Sequence, residues 1–396
     1  MKILILHPNF PGQFKHLCSF FENKGHDVRF ICQTHYGRRI KGIKLIAVKH
    51  PMGHEHYIKI SKSENKRVSL RADYYRSAFV KLNESGWKPN LVISHTGWGC
   101  GVHVKEIWPD TKLIGYFEWW FSPDSELTQV MRSNPYLKSI AKDFQELWKR
   151  NIHMAFEMTL ADYIVAPSIW QKKQLPDSLI DKCNVIYDGV NENVFRYDPK
   201  QISPIPKITY GTRGMEPMRC FPEFIKSLPA LIEKWPDLTV EIAGLDQICY
   251  GGKSPKNGSW MQWAKNSLSE TGISDNIKWV GRLEYDDYVK WLQSSWCHVY
   301  LTHPYVMSWS LHEAYLCNTP IVTNKSLAVE ELFDDNDNIE FCVDLEGENI
   351  IEAINMQLRN PNRWKLSSNK RKGNLSLQTN MKKWENVAEI LVAQQA

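Results

Sequence analysis

The sequence predicts an α/β protein of two domains, each a parallel sheet covered by helices on both faces, facing one another across a cleft. Three observations predict it. Strand-like runs with little internal polarity alternate with helix-like runs along the chain, the pattern of strands buried on both sides. The alternation halts once, in a segment rich in proline and polar residues, and then restarts. The length of 396 residues suits two or three domains.

In the first half, KILILH reads as a strand, PNFPG as a turn and QFKHLCSFFENKG as a helix. DVRFIC and GIKLIAVK are strands, and KRVSLRADYYRSAFVKLNES is a long helix. LVISH is a strand, GVHVKEIW is helix-like and LIGYFE is a strand. A helical region covers about Lys138 to Leu160, and YIVAPS and NVIYDG close the series as strands. The stretch NENVFRYDPKQISPIPK, residues 191–207, has the look of a linker. Beyond it KITYGT, LTVEIAG, IKWVG, HVYLT and PIVTN are strands. The helices between them are FPEFIKSLPALIEKW, WMQWAKNSLSET, YDDYVKWLQSS and LHEAYLC. The boundaries are a first domain over 1–195, a linker over 196–207, a second domain over 208–378 and a final helix over 379–396.

Composition narrows the field. Hydrophobic residues make up 43% and charged residues 23%, an ordinary globular balance. The net charge of +5 permits an anionic ligand and is too small to argue for nucleic acid by itself. The opening MKILILHPNF reads as a first strand and not as a leader, and no run approaches ~18 apolar residues, so no membrane span is implied. Nine cysteines without a CxxC pair point to free buried thiols and a cytoplasmic location. A dinucleotide oxidoreductase would need a GxGxxG after the first strand with an acid downstream, and the chain has none.

Ligands of such sheets sit at the carboxyl ends of the strands, which singles out six loops. In HPNFPGQF, Gly12 allows a close backbone approach, although a plain tight turn is the favoured explanation of this loop taken alone. In SHTGWGCG, His95 and Trp98 stand at a strand end, either as local packing or as acceptor contacts. In GYFEWWFSPDSE, Glu118 beside Trp119 and further aromatics suits a sugar ring, with stacking on its face and hydrogen bonds at its edge. In YGTRGMEPMRCFPEF, Arg213 and Arg219 bracket a loop before a helix, where forked donors and the helix dipole together favour a diphosphate. The long, glycine-rich loop AGLDQICYGGKSPKNGSW, carrying Asp246 and Tyr250, either wraps a ligand or is a simple excursion. In the last loop, Ser308, Trp309, Ser310 and Leu311 offer backbone N–H groups at a helix start, and Glu313 lies within the next turn, able to accept two ribose hydroxyls.

These loops, in this order, resemble the retaining glycosyltransferases of family 4, which have the GT-B fold of two Rossmann-like domains. The resemblance covers nearly the whole chain and is nearest to a bacterial branch. It rests on HPNFPGQFKHL, SHTGWG with LIGYFEWWF, RGMEPMRCFPEF, VGRLEYDDYVKWLQ and VYLTHPYVMSWSLHEAYLCNTPIV. It implies a nucleotide-diphosphate sugar as co-substrate, no further cofactor, and a second domain that binds the donor. Arg213 and Arg219 match the basic pair on the diphosphate, with arginine where the second member is usually lysine. Glu313 matches the ribose-binding second glutamate of the E-x7-E motif, and Tyr305 stands where the first glutamate is usual. Arg282 and Leu283 fall in the segment that lines the base, Gly12 in the glycine loop facing the diphosphate, and Glu118 near the position of an active-site histidine. The resemblance also implies that the last helix crosses back to the first domain, the acceptor side.

The mechanism this implies has no covalent nucleophile and no metal. Arg213, Arg219 and the helix tip stabilise the leaving nucleotide, whose phosphate oxygen takes the proton of the acceptor hydroxyl. The acceptor is open: a glycan, a lipid-linked sugar, a small molecule, or modified DNA. The basic segments KSENKRVSLR (62–71) and SNKRKGN (368–374) make a glycosyltransferase acting on modified bases in DNA conceivable, with solvated charge as their plainer explanation. The missing carboxylate at Tyr305 also leaves open a non-catalytic nucleotide-sugar-binding protein.

Overall fold

The computed structural model describes residues 1–49, 53–60, 63–137, 148–256, 258–333, 338–360, 362–364 and 373–394. The chain divides into two compact units. Met1–Pro123, Phe144–Gly189 and Gln378–Ala396 make up the first; Asp124–Asp143 and Val190–Leu377 make up the second. Of the helical region read from Lys138, residues 138–147 lie outside the described residues, and the rest holds the helix Asn151–Leu160.

The first unit has a sheet of seven parallel strands: β1 (Lys2–Leu6), β2 (Asp27–Cys32), β3 (Lys44–Ala47), β4 (Leu91–His95), β5 (Lys112–Tyr116), β6 (Tyr163–Ala166) and β7 (Cys183–Val185). Their order is β3-β2-β1-β4-β5-β6-β7. The second has six: β8 (Lys207–Gly214), β9 (Thr239–Leu245), β10 (Ile277–Gly281), β11 (Cys297–Tyr300), β12 (Ile321–Asn324) and β13 (Ile339–Cys342), in the order β10-β9-β8-β11-β12-β13. Every recorded pairing is parallel, as the runs of apolar residues predict. In each sheet the order reverses beside its first strand, between β1 and β4 and between β8 and β11. The carboxyl ends of those pairs open the crevice where such sheets take ligands.

The sequence explains the layers. β1 buries Ile3, Leu4, Ile5 and Leu6 on both faces of the sheet. The helix Glu64–Glu84 covers one face with Tyr75, Phe79 and Leu82, which join Val92, Trp108 and Ile164 in one core. In the second unit the helix Phe221–Lys234 presents Phe221, Phe224, Ile225, Leu228 and Leu231 at helical spacing to Ile208, Val240 and Val299. Serine opens helix after helix: Ser63, Ser125, Ser259 and Ser308 each accept a backbone N–H of the first turn. β13 and the helix Gly347–Arg359 complete the second unit and were not read from the sequence. All nine cysteines are free, eight of them buried.

Candidate active-site halves

In the first unit, four loops at the carboxyl edge meet around one carboxylate. The turn after β1 holds Gly12 at φ +55°, and a Cβ there would lie 2.7 Å from the His7 ring. Only glycine fits, and it lets the next residue, Gln13, turn inward. Gln13 Nε2 donates to Glu118 Oε1 at 3.1 Å. His95, the last residue of β4, accepts the Gly97 amide on Nδ1 at 3.4 Å, so its proton sits on Nε2, which donates to Glu118 Oε2 at 3.2 Å. Burial pushes the Glu118 carboxyl up, but His95 and then Gln13 outweigh it and hold the group below its ordinary value. Glu118 keeps 26% of its side-chain surface exposed, enough to meet a ligand.

Behind this pair the packing is aromatic. His7 lies edge-on to His95, ring centroids 5.2 Å apart, and Trp98 stands 6.1 Å from His95. Burial, and then the neighbouring His95, drive the His7 imidazole well below its usual value, so it stays neutral. Trp119 is buried against Trp170 at 5.5 Å, and Gln171 Nε2 holds the Glu118 carbonyl at 2.7 Å.

In the second unit the loops after β8 and β11 meet at the reversal of strand order. Arg213 ends exposed on β8. Arg219 is only 6% exposed. Its Nη1 donates to Tyr300 Oη at 3.2 Å and Thr302 Oγ1 at 2.7 Å, and its Nη2 to the Val306 carbonyl at 3.3 Å. All three hydrogen-bond partners are neutral; the buried Glu216 carboxyl feels the charge of this guanidinium, but no hydrogen bond between them is recorded among the described residues. Tyr210 Oη holds the Arg219 carbonyl at 2.6 Å, and the next residue, Cys220, is buried in the left-handed region at φ +53°. A non-glycine residue there costs on the order of 1–3 kcal/mol, so the loop is over-determined by its surroundings. The expected pair is thus divided: Arg213 stands exposed at the end of β8, and Arg219 is buried in the turn beyond it.

Glu216, which the sequence reading passed over, is fully buried and accepts the amides of Cys249 at 3.1 Å and Tyr250 at 2.9 Å. It ties the long loop after β9 to the loop after β8. Tyr250 then lies over the Arg219 guanidinium at 4.8 Å and edge-on to Tyr305 at 5.7 Å. Asp246 is exposed and accepts the Ser259 hydroxyl and the Met261 amide at 3.3 Å, capping the helix Trp260–Ser269.

The helix Trp309–Leu316 starts at Ser308. The sequence reading left its tip amides open; here three have partners. The Ser308 amide donates to Tyr300 Oη at 2.8 Å, the Ser310 amide to Ser308 Oγ at 3.3 Å, and the Leu311 amide to the Ser308 carbonyl at 3.2 Å. Tyr300 therefore joins Arg219 to the helix start, and its place in a buried strand hid it among core residues. Glu313 accepts the Tyr288 hydroxyl at 2.8 Å, and burial, against that bond, pushes its carboxyl up to about 7. Tyr288 belongs to the helix Tyr285–Gln293, directly after half-buried Leu283 and exposed Arg282. Among the described residues no group of three or more His, Cys, Asp or Glu is placed to hold a metal, and no helix is long and apolar enough to cross a membrane.

Residues 24–195 match the model of the glycosyl transferase family 4 group, and residues 213–373 that of glycosyl transferases group 1. A search of the curated proteins found no match. Among solved structures, the Anabaena protein HepE in complex with UDP and glucose matches at a TM-score of 0.70 and 14% identity, over 98% of this chain and 99% of that one. The sucrose-phosphate synthase of Thermosynechococcus elongatus matches at 0.72 and 12%, over the whole of both chains. An α,α-trehalose-phosphate synthase of Burkholderia vietnamiensis matches at 0.67 and 10%, over 98% of this chain and 100% of that one. At such identities the likeness is one of fold. With both family matches in order along two parallel sheets of this strand order, the chain is a glycosyltransferase of the group 1, GT-B type.

Proposed function

We propose that the chain moves a glycosyl unit from a nucleotide-diphosphate sugar, a UDP-sugar first among them, to a hydroxyl acceptor, with retention of anomeric configuration and without a metal. One observation carries this reading. Arg219 is a buried cation at the strand-order reversal whose hydrogen-bond partners are all neutral, so its charge is balanced best by an anion delivered to the crevice. A diphosphate supplies that anion. HepE, with the same fold, has been crystallised with UDP-glucose, which supports the choice of nucleotide.

Residue roles follow. Arg219 and exposed Arg213 take the diphosphate, aided by the Ser308–Leu311 helix start. Glu313 accepts the ribose hydroxyls, and Arg282 and Leu283 line the base. Tyr250 and Gly12 close on the donor. His95, Trp98, Trp119 and Glu118 make up the acceptor side, where the His95–Glu118 pair orients the incoming hydroxyl. The departing phosphate oxygen takes that hydroxyl's proton. The charge built up on it is stabilised by donors already in place.

A screen of UDP-, GDP-, ADP- and TDP-sugars tests this reading, by thermal shift and by donor hydrolysis. Transfer with the best donor then follows, the anomeric configuration of the product being read by NMR and the whole repeated in EDTA. A UDP-sugar turned over with retention and undiminished by EDTA is expected. A nucleotide that binds while no donor is ever hydrolysed or transferred would make the chain a binding protein.

A further inference from the structure

We propose that the first unit carries a cationic pocket that recognises a phosphate or carboxylate group on the acceptor, so that the acceptor is an anionic carbohydrate. This rests on the glycosyl-transfer reading above and adds the acceptor's chemical class to it.

The first unit contains a cavity of about 770 Å³, within the size range of small-molecule sites. It lies at the same sheet edge as the His95–Glu118 pair. Its walls come from the ends of three adjacent strands: Asn9 after β1, Gln33 and Tyr36 after β2, and Lys49 after β3. The helix Glu64–Glu84 supplies Arg67 and Arg71, four residues apart and therefore on one helix face. Trp98 forms the wall toward the His7 and His95 rings, so the cavity adjoins the place where the acceptor hydroxyl is oriented.

The charge of this cavity is one-sided. Among its described lining residues are three basic side chains, Lys49, Arg67 and Arg71, and no aspartate or glutamate. Arg71 is 8% exposed. Its Nε donates to Gln33 Oε1 at 2.7 Å and its Nη1 to the Trp98 carbonyl at 3.1 Å, both neutral. No partner among the described residues takes the Nη2 donors. An arginine stays charged when buried, and desolvating it without an anion is unfavourable. The fold fixes its position all the same, through Gln33 and Trp98, as a lining residue of the cavity. The Lys49 ammonium sits 4.3 Å from the Tyr36 ring centroid at the rim, where that ring is 40% exposed. Amide and hydroxyl groups of Asn9, Gln33 and Thr34 between the cations suit the hydroxyls of a sugar. In the sequence, Arg67 and Arg71 belong to the basic run 62–71 whose plainer explanation was solvated charge. The structure places Arg71 inside.

The test is isothermal titration of the full chain, with UDP present, against glucose, glucuronate and glucose 6-phosphate. UDP alone is titrated in parallel. At least one of the two anionic sugars is expected to bind about tenfold or more tightly than glucose, as hydrogen bonds to charged groups are worth. The two arms tell carboxylate from phosphate. In the double variant Lys49→Met/Arg67→Met that preference is expected to fall to near unity, while UDP binding in the second unit reports that the protein is folded. Equal binding of all three sugars, or a preference that survives the double variant, overturns the proposal. So does tighter, steeply salt-dependent binding of a single-stranded oligonucleotide through the same cations. Failure of UDP to bind the unaltered chain would overturn the donor reading, and the ranking of the three sugars would still decide this one.

Discussion

Glu118 and Glu313 stand past the ends of central strands in two sheets of the same order, and their surroundings tune them oppositely. Glu118 receives His95 and Gln13, one on each oxygen, and is held below its ordinary value. Glu313 receives only the Tyr288 hydroxyl and is pushed up to about 7. The cations differ in the same way. The second unit buries Arg219 beside its strand-order reversal, whereas the first sets neutral His7 at the corresponding place. One strand order thus carries a buried guanidinium past its strand ends in one unit and a donor-held carboxylate in the other. What decides is how many donors the loops aim at each group.

Four substitutions break or sharpen the contrast. The largest effect is expected from Arg219→Met, which removes the buried cation and three hydrogen bonds binding the loops together. Loss of about 100- to 1,000-fold in kcat is expected, as for other preorganised donors to a developing negative charge. Steady-state kinetics, with the melting temperature as a folding control, would read it, and near-normal kcat would remove Arg219 from the site. Glu118→Gln keeps a group of the same shape but takes the charge from His95. A fall in kcat of about 100-fold with donor affinity unchanged is expected if the pair orients the acceptor hydroxyl. Equal losses in UDP binding would assign Glu118 to the donor instead.

Tyr288→Phe sharpens the comparison on the other side. Its hydroxyl favours the charged form of Glu313, so removing it raises that carboxyl further above about 7. UDP affinity should improve as pH rises through 7 in the unaltered chain, where the carboxylate becomes available to accept ribose hydroxyls. In the variant the same rise should appear at higher pH. Titrations at pH 6, 7 and 8 would show it, and a flat profile would exclude ribose contact by Glu313.

The fourth substitution concerns a carboxyl outside both pairs and is read in stability, not in catalysis. Glu157, fully buried, lies against the Ser94 hydroxyl and Gly101 amide without a well-formed hydrogen bond to either oxygen. Burial pushes it to about 7 against these neighbours. A raised carboxyl contributes stability in full below its unfolded value, near 4.5, and loses it as pH rises through 7. The span corresponds to about 3 kcal/mol. Glu157→Gln should therefore flatten the decline in melting temperature between pH 5 and pH 8, and an unchanged slope would place the titration elsewhere.

The sequence made the sheets legible because parallel strands buried on both faces are written as apolar runs, as in KILIL and LVISH. β13 escaped because IEFC is four residues long with a glutamate in its middle. Loops at strand ends were likewise visible, which brought Arg213, Arg219 and Glu118 into view. The supporting groups were not. Tyr300 reads as one more aromatic of a buried strand, Gln13 as the polar first turn of a helix, and Arg71 as part of a charge run. Each acquires its role from a residue distant in the chain: Arg219, Glu118 and Gln33 respectively. Local pattern carries which residues stand at an edge, and only the tertiary structure carries what they hold.

Ser308 has a further consequence. Its hydroxyl already serves one of the amides that a phosphate would use. On the proposed donor reading, an arriving phosphoryl oxygen would displace this resident acceptor, and its net gain would be the difference between the two. The Ser308 cap would keep the helix start satisfied without a ligand, and the same hydroxyl would help to displace a spent nucleotide. A tip bare of such a tenant would grip its product harder and cycle more slowly.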